Sequence, residues 1–138
     1  MIYFLPNHTE TEAQLRKARG LITNPENWIK KPVKKGNSYC ANGACFEAGV
    51  YDIELPDSFS SDDPNYYRGD LERGSIPEAF WFLRLALSIL TQGDYDNVGR
   101  FNDAPETQRE DVLMLFNVAL ALLKVEAVTP SEGALQAA

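Results

Sequence analysis

The stretch SIPEAFWFLRLALSILTQG, residues 75–93, decides the fold. Ser75-Ile76-Pro77-Glu78 has the form of a capping box with proline in the first turn. Ile76, Phe80, Leu83, Leu87 and Leu90 then recur at helical spacing, and Gly93 is a natural stop. Trp81, Phe82, Leu85, Ala86 and Ile89 carry the apolar surface nearly all the way round, so this helix is expected at the centre of the molecule.

Toward the C-terminus lies FNDAPETQREDVL, residues 101–113. Thr107-Gln108-Arg109-Glu110 repeats the Thr-x-x-Glu capping pattern and leads into Val112, Leu115, Phe116, Ala119, Leu122 and Leu123, which predicts a helix from Gln108. Asn102, Asp103 and Pro105 then fall in the turn before it, where Asx side chains commonly bond nearby backbone amides. The end of the chain, 127–138, reads as a frayed tail.

Toward the N-terminus, Thr9 or Thr11 can cap a helix ending near Ile22, with Leu15, Ala18 and Ile22 on one face. Asn24-Pro25 ends it and delivers Trp28 to a core-covering position. Ser38 is the expected cap of a short helix to about Ala48, with Cys40 and Ala44 facing inward and Gly49 closing it. Helical periodicity is lost over 50–74, where prolines, serines and Gly69 mark turns, and VYDIEL (50–55) alternates as a short strand would. The expected fold is mainly α: a compact four-helix single domain over 1–126, orthogonal or bundle-like, with a long acidic insertion at 50–74 and one short β element.

A hydrophobic content of 44% with 24% charged residues places the chain among globular proteins rather than disordered ones. Its formal charge of −7 opposes direct nucleic-acid binding, which works by clustered Lys and Arg releasing counterions. The short basic run Lys30, Lys31, Lys34 and Lys35 reads as a solvated loop. MIYFLPNHTE lacks the charged start and cleavage site of a secretion signal, and the longest apolar run, VLMLFNVALALL, is short of the roughly 18 residues that cross a bilayer. A cytoplasmic location, the host cytoplasm if phage-encoded, no membrane association and reduced thiols are the expectation.

The single histidine, His8, sits in the entry segment and reads as a surface residue. Cys40 and Cys45 are too few for structural zinc, and their side chains would diverge by about 140° on a helix that turns roughly 100° per residue. They read as packing thiols, with no metal and no cofactor expected. DSFSSDD lacks the glycine and final glutamate of a calcium loop. Asn102 and Asp103 carry two readings: a turn that organises its own backbone, or polar anchors for a ligand walled by Trp28, Tyr39 or Phe101. In the acidic insertion, Asp57, Asp62 and Asp63 with Tyr66 and Tyr67 could dock a basic partner.

Trp28, the segment Tyr39-Cys40-Ala41-Asn42-Gly43-Ala44 and the turn Phe101-Asn102-Asp103-Ala104-Pro105 together resemble a small, functionally uncharacterised domain family of bacterial and phage proteins. The resemblance runs over about 15–124 and implies that Cys40, Gly43, Asn102 and Asp103 belong to one structural unit. It implies no reaction. The leading expectation is a non-enzymatic binding or interaction module, acting by stoichiometric association with a protein or small molecule, and homodimerisation stays open. The balance is against catalysis. The alternative is a Cys- or Asp-dependent enzyme on an amide-like or other small substrate, with Cys40 as nucleophile and Asp103 orienting it.

Overall fold

The computed structural model describes residues 7–31, 34–50 and 76–128. Among them are five helices, α1 (His8–Leu21), α2 (Ala41–Glu47), α3 (Glu78–Leu90), α4 (Val98–Asp103) and α5 (Arg109–Val128). A hairpin of two short strands, β1 (Lys34–Lys35) and β2 (Ser38–Tyr39), precedes α2. The mainly helical fold is as the sequence predicts, with one helix more. Residues 51–55 of the expected strand, the acidic segment and the tail from 129 lie outside the described residues, while 127 and 128, expected in the frayed tail, still belong to α5.

α3 packs most extensively against α5, and α1 lies against α2, α5 and α3. The shared core includes Phe80, Leu83, Leu87, Val112, Phe116 and Ala119, all buried as the helical spacing predicts. The far side of α3 departs from expectation. Leu85 is 36%, Ile89 53% and Leu90 37% exposed, so the described residues cover one face of this helix and leave part of the other open.

Several caps fall one or a few residues away from their predicted places. Asn7, not Thr9 or Thr11, caps α1, its side-chain oxygen accepting from the Glu10 N–H at 3.0 Å, and Thr11 is buried instead. His8 is therefore the first residue of a helix rather than part of a loose entry segment. Ser38 belongs to β2, and Cys40 takes the cap position of α2. Pro77 occupies the cap position of α3 with no side-chain cap bond. At α5 the Asp111 carboxylate reaches back to accept from the Gln108 N–H at 2.8 Å, so the reciprocal half of a capping box forms one residue later than the Thr107-Glu110 spacing suggests.

The hairpin turns through Gly36 and Asn37, and Gly36 adopts φ +60°, a left-handed conformation that glycine enters without steric cost. Gly93, at φ +84°, ends α3 as expected, its N–H returning to the Ser88 carbonyl at 2.9 Å. No helix among the described residues is long and apolar enough to cross a membrane.

Candidate functional site

Asn102 and Asp103 are the last two residues of α4, a helix of six residues, and not part of a turn. Asn97 starts this helix by accepting from the Arg100 N–H, and Asn102 at the other end is completely buried. An asparagine side chain offers two acceptor and two donor positions, and all four are filled here. Its oxygen accepts from Trp28 Nε1 at 2.8 Å and from the Ala41 N–H at 3.1 Å. Its nitrogen donates to the Ile29 carbonyl at 3.0 Å and to Asp103 Oδ1 at 3.1 Å. Two donors meeting the oxygen and two acceptors meeting the nitrogen fix the amide orientation.

Asp103 completes the clasp from the half-buried side. Its Oδ1 also accepts from the Lys31 N–H at 2.7 Å, at a residue whose φ of 51° is uncommon outside glycine. Lys30 Nζ donates to the Ala104 carbonyl at 2.5 Å and to the Pro105 carbonyl at 3.3 Å, and lies 5.8 Å from the Trp28 ring centre. Lys34 pairs with Glu47 at 3.8 Å and lies 6.0 Å from the Tyr39 ring centre. Within the basic run Lys30 and Lys34 are thus fastenings to neighbouring segments, while the side chains of Lys31 and Lys35 are exposed as a solvated loop's would be.

Trp28, Asn102 and Asp103 are brought together with Cys40, next to Ala41, but as a network that consumes its own polar groups. Tyr39 joins through its backbone, accepting from the Ile29 N–H at 3.0 Å beside a parallel bridge to Trp28. Burial raises the Tyr39 pKa, with the Glu47 carboxylate adding to the effect. Phe101 turns elsewhere, edge-on to Tyr95 at 5.6 Å. Of the five candidate ligand-binding residues, Trp28, Asn102 and Asp103 are linked by direct hydrogen bonds through Asn102 and Tyr39 joins through its backbone, whereas Phe101 lines a separate depression. The docking candidates Asp57, Asp62, Asp63, Tyr66 and Tyr67 lie outside the described residues.

Cys40 and Cys45 are free and buried. Loss of solvation pushes the Cys40 thiol up to about 12, and the Asp103 charge adds to this, while the Gly43 N–H donated to its sulfur at 3.4 Å opposes it. Burial drives Cys45 further in the same direction. An acidic side chain beside a thiol thus hinders the thiolate that a nucleophile needs.

Among the described residues, an open surface of mixed polar and apolar character lies beside Phe101 of α4, away from the Asn102 network. A depression of about 440 Å³ is lined by residues that include Leu90, Tyr95, Phe101, Glu106, Asp111 and Met114. Tyr95 also lines a neighbouring one of about 280 Å³ with Trp81, Arg84, Leu85, Ser88 and Asp96. Tyr95 is held in this position by Phe101 and by donating its hydroxyl proton to Glu106 at 2.8 Å. That bond raises the Tyr95 pKa and lowers that of Glu106, each partner favouring the protonation state that keeps it. Sequence reasoning missed this surface. Its signal is the apolar excess of α3, from which sequence reasoning draws a central helix and an open possibility of homodimerisation.

The sequence profile of DUF6197, a family of unknown function, matches residues 6–122. The chain belongs to this family. No curated protein and no solved structure matches it. As a DUF6197 member it shares a family whose description carries no reaction, ligand or partner, so its function is argued from its own surface.

Proposed function

We propose that this DUF6197 protein is a non-enzymatic interaction module that docks a basic, amphipathic helical segment of a partner protein across the two depressions around Tyr95. The observation that carries this reading is the exposure of Leu85, Ile89, Leu90 and Met114 beside them, with Met114 50% exposed. Apolar side chains left open together mark contact surfaces more often than ordinary solvated ones. Asp94, Asp96, Glu106 and Asp111 border the same depressions against the single cation Arg84, which favours a partner that presents lysine or arginine beside its apolar face. A second copy of this chain is the weaker candidate, because each copy carries a net charge of −7. Wide-mouthed depressions of this size suit the knobs of a protein segment better than they enclose a small molecule.

Site-specific photocrosslinking at positions 89 and 114 in the producing cells, with position 17 as control, tests the reading. A discrete adduct from 89 and 114, mapped to a basic amphipathic segment, is expected. With that segment as a purified peptide, Met114→Asp should weaken binding by at least about 10-fold, as for an interface hot spot, and added salt should weaken it further. Self-adducts alone would establish a homodimer instead, and equal adducts from position 17 would remove the surface from consideration.

The Cys40-dependent alternative is disfavoured by the thiol's surroundings. Burial raises the Cys40 pKa far above neutral, so the thiol rather than the thiolate is the form present at pH 7. Both cysteines should label with a maleimide orders of magnitude more slowly in the native protein than in urea. Rapid native labelling of Cys40 would restore the enzyme reading.

A further inference from the structure

Three side chains remote in sequence meet where the start of α1, the start of α3 and the end of α5 come together. His8 Nε2 lies 2.8 Å from Glu126 Oε2, across 118 residues of chain. His8, Glu78 and Glu126 each present a nitrogen or oxygen donor, and these three atoms lie within 4.8 Å of one another. The His8 ring is braced edge-on by Phe82, its centre 6.5 Å away. Glu78 is 7% exposed, whereas the side chains of His8 and Glu126 each remain 34% exposed, so the cluster has a protein-covered floor and an open mouth.

We propose that His8, Glu78 and Glu126 form a binding site for one divalent first-row transition-metal ion, with zinc as the best-matched ion and water completing its coordination. Donors at about 2.0–2.2 Å from zinc in a tetrahedral arrangement stand roughly 3.4 Å apart. One separation is 2.8 Å and none of the three exceeds 4.8 Å, differences from that value that rotation of two flexible glutamate side chains can close. Two carboxylates held this close repel each other, and one of them is buried. A dication placed between them turns that repulsion into attraction.

The imidazole directs the choice of ion. Calcium and magnesium favour all-oxygen shells, while one imidazole with two carboxylates suits zinc and its neighbours in the first transition row. The three ligands also come from three different helices. Binding therefore ties the start of α1 to α3 and α5, and its free energy adds to that of folding. When the ion binds, Nε2 gives up the proton it shares with Glu126, either to Nδ1 of the same ring or to solvent. Glu126 then changes from hydrogen-bond acceptor to metal ligand.

Zinc titration of the metal-free full chain by calorimetry, with melting followed in parallel, is the test. One equivalent should bind with a micromolar or tighter Kd and raise the melting temperature. His8→Gln and Glu126→Gln should each weaken binding by at least about 10-fold while retaining the helical circular dichroism of the parent protein. Because the chain has one histidine, a measurement on the unaltered protein decides the matter if these variants do not fold. One equivalent of zinc should shift both carbon-bound imidazole proton resonances of His8. Zinc uptake that leaves those resonances in place, uptake undiminished in folded His8→Gln, or no uptake at all would overturn the site.

Discussion

Asn102→Ala should lower the free energy of unfolding by about 3 to 6 kcal/mol, at about 1 to 2 kcal/mol for each of three groups left without a partner, the lower part of the usual range because two of the bonds are part-buried. The substitution abandons three groups besides Asp103: the Trp28 indole N–H, the Ala41 N–H and the Ile29 carbonyl. These belong to the segment after α1 and to the first residue of α2, so the loss is spread over two elements that α4 holds. Against a typical total stability of about 5 to 15 kcal/mol this is a large share. Urea unfolding followed by circular dichroism measures it. Two milder variants give the comparison. Trp28→Phe keeps the ring and removes one donor, for an expected loss of about 1 to 2 kcal/mol. Asp103→Asn keeps an oxygen for the Lys31 N–H and should cost less than about 1 kcal/mol. Trp28→Phe and Asn102→Ala share a bond, so their combined effect should fall short of their sum. A loss below about 1 kcal/mol in Asn102→Ala would show that the clasp does not hold the fold.

The difference between this expectation and a simple helix-cap effect shows where the sequence was legible. Local spacing identified the helices that form α3 and α5 because each runs through three or more turns with one consistently apolar face. It could not identify α4, whose six residues complete fewer than two turns and show no period. The hairpin escaped for the same reason, since strands of two residues have no alternation to read. Capping chemistry was recognisable in kind but ambiguous in register, as at Asn7 and at Gln108. An asparagine next to an aspartate and a proline carries the marks of a turn. Three of its four partners, Trp28, Ile29 and Ala41, arise only when segments 61 to 74 residues distant pack around it. The cluster of His8, Glu78 and Glu126 was equally hidden, because its members are spread over 118 residues of chain and share no motif.

α4 connects two surfaces with opposite chemistry. Asn102 faces a network with no vacant hydrogen-bonding position on its amide, while the preceding residue, Phe101, supports Tyr95 at the depressions. Adjacent residues on a helix point about 100° apart, so one short helix can serve both. The two assignments therefore separate experimentally: damage at Asn102 should appear first as lost stability, and damage at Leu90 or Met114 as lost association.

Phe80→Ala should cost about 3 to 5 kcal/mol, the range for removing a buried aromatic ring. Phe80 is 2% exposed, lies between α3 and the rest of the core, and meets Phe46 of α2 edge-on at 5.4 Å. Such an aromatic pair contributes about 0.5 to 1.5 kcal/mol beyond the area it buries, which places the expected loss in the upper half of the range. Ile89, on the same helix, is 53% exposed. Ile89→Ala should change stability by no more than about 0.5 kcal/mol, as surface substitutions usually do. The pair is informative because both residues are large, apolar and helical, and composition alone gives no reason to rank them. Burial ranks them for folding, and the docking proposal ranks them in the reverse order for association: Ile89→Ala should weaken partner binding in a fully folded protein. Denaturant unfolding and partner titration of the two variants test both rankings. If Ile89→Ala proves the more destabilising, the exposed face of α3 is covered in the native protein, and the docking surface must be sought elsewhere.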